Sequence, residues 1–110
     1  MSLNLTENEK QAIEELASSI RKEFPLARLL VFGSRAVGRG DEESDTDLLI
    51  VLPCPVTLNL RHSIVEKVFY LNLAHCCNIS VLIVSEKDWR EGNLSVLPIH
   101  DFIEEEGIPF

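Results

Sequence analysis

The sequence has few basic residues for its length. Its 110 residues include 10 Lys and Arg against 18 Asp and Glu, which gives a formal net charge of -8 at pH 7. Proteins that bind nucleic acid directly need clustered Lys and Arg side chains for the phosphates. We therefore expect no direct nucleic-acid binding, and an acidic chain of this kind favours a basic partner or a metal-screened substrate.

The sequence also lacks a long apolar run. A membrane-spanning helix needs roughly 20 consecutive apolar residues, and no stretch approaches that length. The first residues have neither the charged region nor the apolar region of a signal peptide. These two absences predict a cytoplasmic protein that makes no membrane contact.

Cysteines are scarce, and their spacing excludes a disulfide framework. Cys54, Cys76 and Cys77 are an odd number and are not spaced as paired cysteines are, so free thiols are expected. His75 beside Cys76 and Cys77 offers zinc-ligand chemistry. No second ligand cluster follows at a finger-like spacing, which makes zinc the weaker interpretation.

The remaining composition is that of an ordinary globular protein. A hydrophobic content of 45% over 110 residues is enough for one domain, residues 1–110, with a modest core. Near its start, Thr6 with Glu9 three residues later forms a capping box, and apolar residues then recur at helical spacing. The pattern predicts a first helix over residues 6–24, which Pro25 ends.

Two acids stand directly before an apolar strand pattern. Asp45 and Asp47 precede the apolar run 48–52, which predicts a buried strand. Side chains alternate along a strand, so these two carboxylates point the same way and Thr46 points the other way. Two neighbouring carboxylates repel unless a cation lies between them, and Mg²⁺ is the usual one. An isolated Asp-x-Asp is nevertheless more often a solvated turn.

Here the acid pair has a partner motif. The strand predicted over residues 27–32 ends in Gly33-Ser34, and ten residues separate that pair from Asp45-Thr46-Asp47. This pattern resembles the nucleotidyltransferase superfamily of DNA polymerase β in its smallest form, the minimal nucleotidyltransferase domain. The order of the remaining predicted elements is also similar to that family, so the resemblance covers nearly the whole chain.

The resemblance implies a fold and a site. The implied fold class is α/β, with a small mixed sheet of about three strands, flanking helices and an antiparallel first strand pair, as in the polymerase β palm. Gly33 and Ser34 would bind the triphosphate of a nucleotide, and Asp45 and Asp47 would hold two Mg²⁺ ions. Arg35, at the start of a short helix predicted over residues 35–37, is the better candidate for neutralising phosphate charge. Arg39, in the turn 38–40, is the weaker candidate.

The chain departs from the family at one position. The third predicted strand, residues 78–84, commonly carries a third acid in the family, and matching the strands puts Ser80 at that position. A third carboxylate would help to bind metal and accept the proton of the attacking hydroxyl, and serine cannot replace it as a base. The difference indicates either a reaction with a relaxed requirement for the third acid or no catalysed reaction.

A helix predicted over residues 57–75 has apolar residues on more than one face. An apolar surface broader than one core contact needs leaves two interpretations open, a buried helix or a contact with another chain.

The C-terminal part of the sequence predicts two more helices. Ser85 with Asp88 forms a second capping box, and a final helix is predicted over residues 94–106, with Gly107 as its stop. His100 is expected at the surface. The acids 104–106 are unfavourable at a helix C-terminus, so a basic partner surface is one candidate reason for them. Residues 108–110 are expected to form an apolar extended tail.

The resemblance also implies an activity and a partner. Minimal nucleotidyltransferases resemble the antitoxin half of two-gene modules, whose partner is a helical HEPN-type ribonuclease toxin modified with AMP on a tyrosine. We therefore expect a Mg²⁺-dependent nucleotidyltransferase that transfers AMP from ATP, or a monophosphate from another nucleoside triphosphate, to such a partner. The alternative is a non-catalytic module that sequesters the partner by contact, which Ser80 favours.

Overall fold

The computed structural model describes residues 5–32 and 46–110. These residues form four strands, four α-helices and a short 3-10 helix. In chain order the elements are α1 (Glu7–Glu23), β1 (Arg28–Phe32), β2 (Thr46–Leu52), α2 (Leu58–His75), β3 (Ile79–Ser85), α3 (Glu86–Glu91), the 3-10 helix (Asn93–Val96), α4 (Pro98–Glu106) and β4 (Ile108–Pro109).

The sheet has the strand order β3-β2-β1-β4. β1 and β2 are antiparallel, as expected, and β3 lies parallel to β2 after the crossover through α2. The fourth strand was not expected: Ile108 and Pro109 pair antiparallel with Val31 and Leu30. The apolar tail is therefore part of the sheet, and the mixed α/β fold class is confirmed with one strand more than the sequence indicates.

The first helix follows from its capping box and its apolar stripe. The Glu9 backbone N–H donates to the Thr6 hydroxyl at 3.2 Å, and the Thr6 N–H donates to a Glu9 carboxylate oxygen at 2.9 Å, which satisfies two otherwise unpaired donors. One face of the helix is buried against the sheet and α2. Its apolar members are Ala12, Ile13, Leu16, Ala17 and Ile20.

The two faces of the sheet carry separate apolar clusters, because β2 alternates between them. Leu48, Ile50 and Leu52 pack on the side of α1 and α2. Leu49 and Val51 pack on the other side, where Trp89 of α3 and Ile103 of α4 cover them. β2 is thus covered on both faces, which explains its almost continuous apolar sequence.

The helix α2 is fastened to the outer side of β3 by side chains. The Asn72 side-chain oxygen accepts the Ile79 backbone N–H at 2.9 Å, and the Asn72 side-chain nitrogen donates to the Ile79 carbonyl at 3.1 Å. The Arg61 guanidinium donates to the Ile83 carbonyl at 3.2 Å. Ile64 and Val68 are its buried residues, and the large apolar side chains that it leaves exposed are Leu58, Val65, Phe69, Tyr70 and Leu73.

The predicted last helix is wrong at its start. Residues 94–106 do not form one helix, since a 3-10 turn ends at Val96 and α4 begins at Pro98. Proline is well suited to the first position of a helix, and it disfavours a helical conformation at the preceding Leu97. The chain therefore restarts its helix at Pro98, and that helix ends at Gly107 as expected.

The indole of Trp89 organises this C-terminal segment. The indole is buried, and its N–H donates to the Glu104 carboxylate at 2.5 Å. The centroids of the Trp89 and His100 rings are 4.3 Å apart. His100 is therefore packed on Trp89 and partly buried, so the expected surface position holds only for part of its side chain. Glu104 has a role within the fold, because a buried indole N–H needs an acceptor.

Within residues 5–32 and 46–110, the structure contains no helix of the length and apolar character that crossing a membrane requires.

Candidate functional site

One end of the sheet places three side chains in a row across neighbouring strands. Asp47, near the start of β2, pairs with Phe32 at the end of β1 and with Ser80 near the start of β3. Neighbouring strands lie about 4.8 Å apart. The row joins the end of β1 to the beginnings of β2 and β3, so Asp47 stands where three segment ends meet.

Asp47 and Ser80 lie on the same face of the sheet. Leu49 is two residues after Asp47 and Leu82 is two residues after Ser80, and both belong to the cluster on the α3 and α4 side. Alternation along the strands therefore puts Asp47 and Ser80 on that side as well. Asp47 is half-buried and Ser80 is exposed, and the two residues are partners in the register of β2 and β3.

The other predicted site residues are Gly33, Ser34, Arg35 and Asp45, and they lie outside the described residues. The helix predicted over residues 35–37 and the turn containing Arg39 lie outside them too. The described ends of this segment are close together, because Phe32 directly precedes Gly33 and pairs with Asp47. The two halves of the motif are thus connected to the same row of the sheet.

Asp88 does not lie near Asp47. It follows Ser85, which pairs with Leu52 at the opposite end of the parallel strands, five residues beyond the Asp47 pair. At about 3.3 Å per residue that end is about 17 Å away. The Asp88 N–H donates to the Ser85 hydroxyl at 3.0 Å, which starts α3. Its place in the fold is the cap of that helix.

Oxygen ligands at this row are suited to a hard cation such as Mg²⁺. In the described part of the chain, no three His, Cys, Asp or Glu side chains come together in a way that could hold a metal ion. The second carboxylate that the sequence predicts for a magnesium ion at Asp47 is Asp45, which lies outside the described residues.

Behind the row, a buried polar bridge joins β2 to α1. Thr46 is fully buried on the face opposite Asp47, and its hydroxyl donates to the carboxylate of Glu9, which is itself buried. The Thr46 N–H donates to the Asn78 carbonyl at 3.0 Å, at the entry to β3. Thr46 is thus held by a helix on one side and a strand on the other.

Sequence reasoning assigned Glu9 to the capping box alone and missed this second contact. The signal was a threonine at a strand position whose neighbours on the same face, Leu48 and Ile50, are apolar. A buried hydroxyl needs a partner, and Glu9 is the acid that the first helix brings to that face.

The charge of Glu9 also reaches the entry to β3. Burial raises the pKa of the Cys77 thiol above its ordinary value, and the negative charges of Glu9 and, to a smaller extent, Cys76 raise it further. The thiol donates to the Asn72 side-chain oxygen at 3.4 Å. Cys77 is therefore a protonated thiol at neutral pH, and all three cysteines are free, as predicted.

The arrangement defines a class of protein. A mixed sheet with an antiparallel first pair, a parallel crossover and an acid at the start of the second strand is the core of a nucleotidyl-transfer domain. The model of a family described as "Nucleotidyltransferase domain" matches residues 13–107, and the chain belongs to that family. No curated protein matches the chain in sequence.

Solved structures share the fold. One is a crystal structure at 1.40 Å resolution of a protein from Sulfolobus solfataricus assigned as a nucleotidyltransferase. It is 24% identical, with a TM-score of 0.55, over 94% of this chain and 76% of that one. Another is the crystal structure of a toxin-antitoxin with AMP-PNP, which is 17% identical, with a TM-score of 0.60, over 91% of this chain and 70% of that one.

Proposed function

We propose that this domain transfers AMP from ATP to a tyrosine of a helical HEPN-type toxin and so acts as the antitoxin of a pair. The phenol oxygen bonds to the α-phosphorus, the bond from the α-phosphorus to the bridging oxygen breaks, pyrophosphate leaves and the phenolic proton passes to solvent. The observation that supports the proposal most is the row Phe32, Asp47 and Ser80. It brings the end of β1, from which Gly33 and Ser34 continue, to the acid at the start of β2. Membership of the nucleotidyltransferase family supports the transfer itself.

In this proposal each part of the motif has one task. Asp45 and Asp47 would hold Mg²⁺, while Gly33, Ser34 and Arg35 would bind the triphosphate. When bound, the metal would offset negative charge on the phosphate oxygens. The main contribution of the chain is to position the nucleotide, since phosphoryl chemistry depends mostly on orientation and charge stabilisation.

The serine at the third-acid position fits an acceptor that needs little help from a base. The Ser80 hydroxyl cannot take up a proton near neutral pH. A tyrosine phenol, with an ordinary pKa of about 10, loses its proton far more readily than an alcohol does. A phenolic acceptor therefore lowers the demand on the residue that the family uses as a base.

The exposed face of α2 is the proposed contact surface for the partner. Val65, Phe69 and Leu73 recur every four residues on a side of the helix next to the buried Ile64 and Val68, and Leu58 is exposed near the start of the helix. This spacing makes one continuous stripe. The likeness of the fold to a toxin-antitoxin structure that contains AMP-PNP supports both the partner and the nucleotide.

The position of Ser80 favours a second candidate function. Because a hydroxyl stands beside Asp47, the domain could retain nucleotide binding and neutralise its partner by contact alone. Both functions need the partner surface, and transfer alone needs Asp45 and Asp47.

Melting curves with ATP and Mg²⁺ test the site. A ligand at 100 times its dissociation constant stabilises the native state by about 2.7 kcal/mol, which is a rise of about 10 °C for a domain of this size. Changing Asp45 and Asp47 to Asn should abolish that rise, whereas Asp88→Asn, at the other end of the sheet, should keep it. An unchanged rise in the double variant would remove both acids from the site.

Mass spectrometry of the toxin separates the two functions. Under the transfer mechanism the toxin gains one AMP on a tyrosine, and the Asp45→Asn, Asp47→Asn variant binds the toxin without modifying it or protecting cells. Protection by the wild-type chain without any added mass would instead leave contact as the mechanism.

Restoring the third acid tests the alignment of β3. Ser80→Asp should lower the half-saturating Mg²⁺ concentration by about tenfold, because it adds a carboxylate beside Asp47. In EDTA the same variant should lose up to about 1 kcal/mol, since like charges on neighbouring strands repel. Unchanged metal affinity would contradict the placement of Ser80 at the metal.

A further inference from the structure

The bridge between Thr46 and Glu9 occupies an unusual position for a buried polar contact. It lies directly behind Asp47, on the covered face of the sheet, and joins residues 37 positions apart. Both side chains are almost fully inaccessible, at 0% exposure for Thr46 and 4% for Glu9. In such surroundings the loss of one hydrogen-bonding partner leaves the other unsatisfied, so the contact is costly to break.

The bridge uses both oxygens of one carboxylate. One Glu9 oxygen accepts the Thr6 N–H at the start of α1, and the other accepts the Thr46 hydroxyl at the start of β2. The start of the helix and the start of the strand are thereby joined through one side chain. Any rotation of the strand at Thr46 would have to break this bond or move the helix.

Rotation at Thr46 would displace the neighbouring side chain. Successive residues of a strand point to opposite faces, so the direction of Thr46 toward Glu9 sets the direction of Asp47 toward the row with Ser80. Thr46 also donates its N–H to the Asn78 carbonyl, two residues before Ser80. The same residue therefore aligns both strands that form the row.

We infer that Glu9 is a positioning residue of the metal site, acting through Thr46 to hold Asp47 in the direction that a divalent cation requires. The inference rests on the proposed function, because it needs a metal at Asp47. Hydrogen bonds made directly to a metal ligand change metal affinity by about 10- to 100-fold when removed. This bridge reaches Asp47 through the backbone of Thr46, so we expect a change at the lower end of that range, about tenfold. A bridge that only stabilised the fold would lower the melting temperature and leave the metal affinity unchanged.

The experiment follows melting temperature against MnCl₂ at a fixed saturating concentration of AMP-PNP, and compares each variant with itself in EDTA. Thr46→Val keeps the shape of the side chain and removes the hydroxyl, and it should raise the half-saturating Mn²⁺ concentration about tenfold. Thr46→Ser restores the donor and should stay within about threefold of the wild type.

A matched control separates positioning from stability. Thr57 caps α2 by accepting the Leu60 N–H at 3.1 Å, and Thr57→Val removes a hydroxyl that has no contact with the row. It should lower the melting temperature in EDTA and leave the half-saturating Mn²⁺ concentration unchanged. A second variant, Glu9→Gln, keeps one carbonyl oxygen for two donors and should weaken Mn²⁺ binding even if Thr46→Val does not fold.

The outcomes distinguish this inference from the function on which it rests. If the wild-type chain shows no Mn²⁺-dependent shift, the proposed function fails and the inference fails with it. Suppose instead that the melting temperature of the wild type rises with Mn²⁺ and that Thr46→Val has the same half-saturating Mn²⁺ concentration as the wild type. Only the positioning role is then overturned. Where Thr46→Val is unfolded, Glu9→Gln takes its place in this comparison. The positioning role is supported if the half-saturating Mn²⁺ concentration rises in the variants of Thr46 and Glu9 and does not rise in Thr57→Val.

Discussion

The two long helices have nearly the same length and use it differently. α1 has 17 residues and one buried apolar stripe, with charged and polar side chains toward water. α2 has 18 residues, buries Ile64 and Val68, and exposes an apolar stripe on the side next to them. A helix needs one apolar face to join a core. The difference shows that the second face of α2 is not needed by the fold of this chain.

A matched pair of leucine substitutions should give the largest difference in the free energy of unfolding. Leu16 of α1 is 0% exposed and Leu73 of α2 is 64% exposed. Leu16→Ala should cost about 2–5 kcal/mol through lost burial and a cavity, and Leu73→Ala should stay within about 0.5 kcal/mol. Urea denaturation of both variants measures this, and equal losses would mean that the exposed stripe is packed in solution.

The N-terminal caps should give a smaller contrast. Thr6 and Thr57 both accept a backbone N–H, but the cap of α1 also has Glu9 reaching back to the Thr6 N–H. Each change to Ala should cost about 1 kcal/mol. Thr6→Ala should cost more, because Glu9 also fastens that turn to β2. Urea denaturation of Thr6→Ala and Thr57→Ala measures both losses of unfolding free energy. A larger loss for Thr57→Ala would contradict the role of Glu9 in the cap.

The C-terminal ends of the helices differ in backbone conformation. α2 ends at Cys76 with φ at 52°, in the left-handed region, while Phe24 ends α1 with φ at -128°. A side chain in the left-handed region is strained, and glycine removes that strain. Cys76→Gly should therefore stabilise the protein by about 0.5–1 kcal/mol, whereas Phe24→Gly should not. Calorimetric melting curves measure this, and a melting temperature that does not rise in Cys76→Gly would contradict the prediction.

The smallest effect on stability should come from the stripe itself, together with a large effect on binding. Phe69→Ser should change the free energy of unfolding by less than about 0.5 kcal/mol and weaken toxin binding more than tenfold. Val96, exposed outside α2, offers a control: Val96→Ser should leave binding unchanged. Equal affinities for the two variants in a titration with the toxin would exclude α2 as the contact.

The sequence predicts those parts of the fold whose signals are local. The capping box of Thr6 and Glu9, the apolar run of β2 and the alternation in β3 each lie within a few residues, so those elements are found within about two residues of their ends. The start of α4 was misplaced because the apolar pattern continues through Pro98. The preference of proline for the first helical position is the local signal that places the start at Pro98.

Long-range contacts account for what the sequence did not predict. Ile108 and Pro109 become a strand only because β1 offers them a partner about 80 residues earlier. The bond between Glu9 and Thr46 is also long-range: the threonine among apolar neighbours signals that a partner is needed, and not which residue supplies it. At the site, the adjacency of Asp47 and Ser80 was expected from the resemblance, and the register of β2 and β3 confirms it. The roles of Gly33, Ser34, Arg35, Asp45 and Asp47 stay predictions.

The side chains that fasten α2 to β3 also protect the protein from aggregation. β3 lies at one border of the sheet, where unpaired backbone groups could recruit a strand from a second molecule. Asn72 and Arg61 already occupy the outward N–H and carbonyl of Ile79 and the carbonyl of Ile83. At the other border, Pro109 has no N–H to offer. Growth of the sheet from molecule to molecule is therefore opposed at both borders, so the protein can expose an apolar helix without its strands joining others.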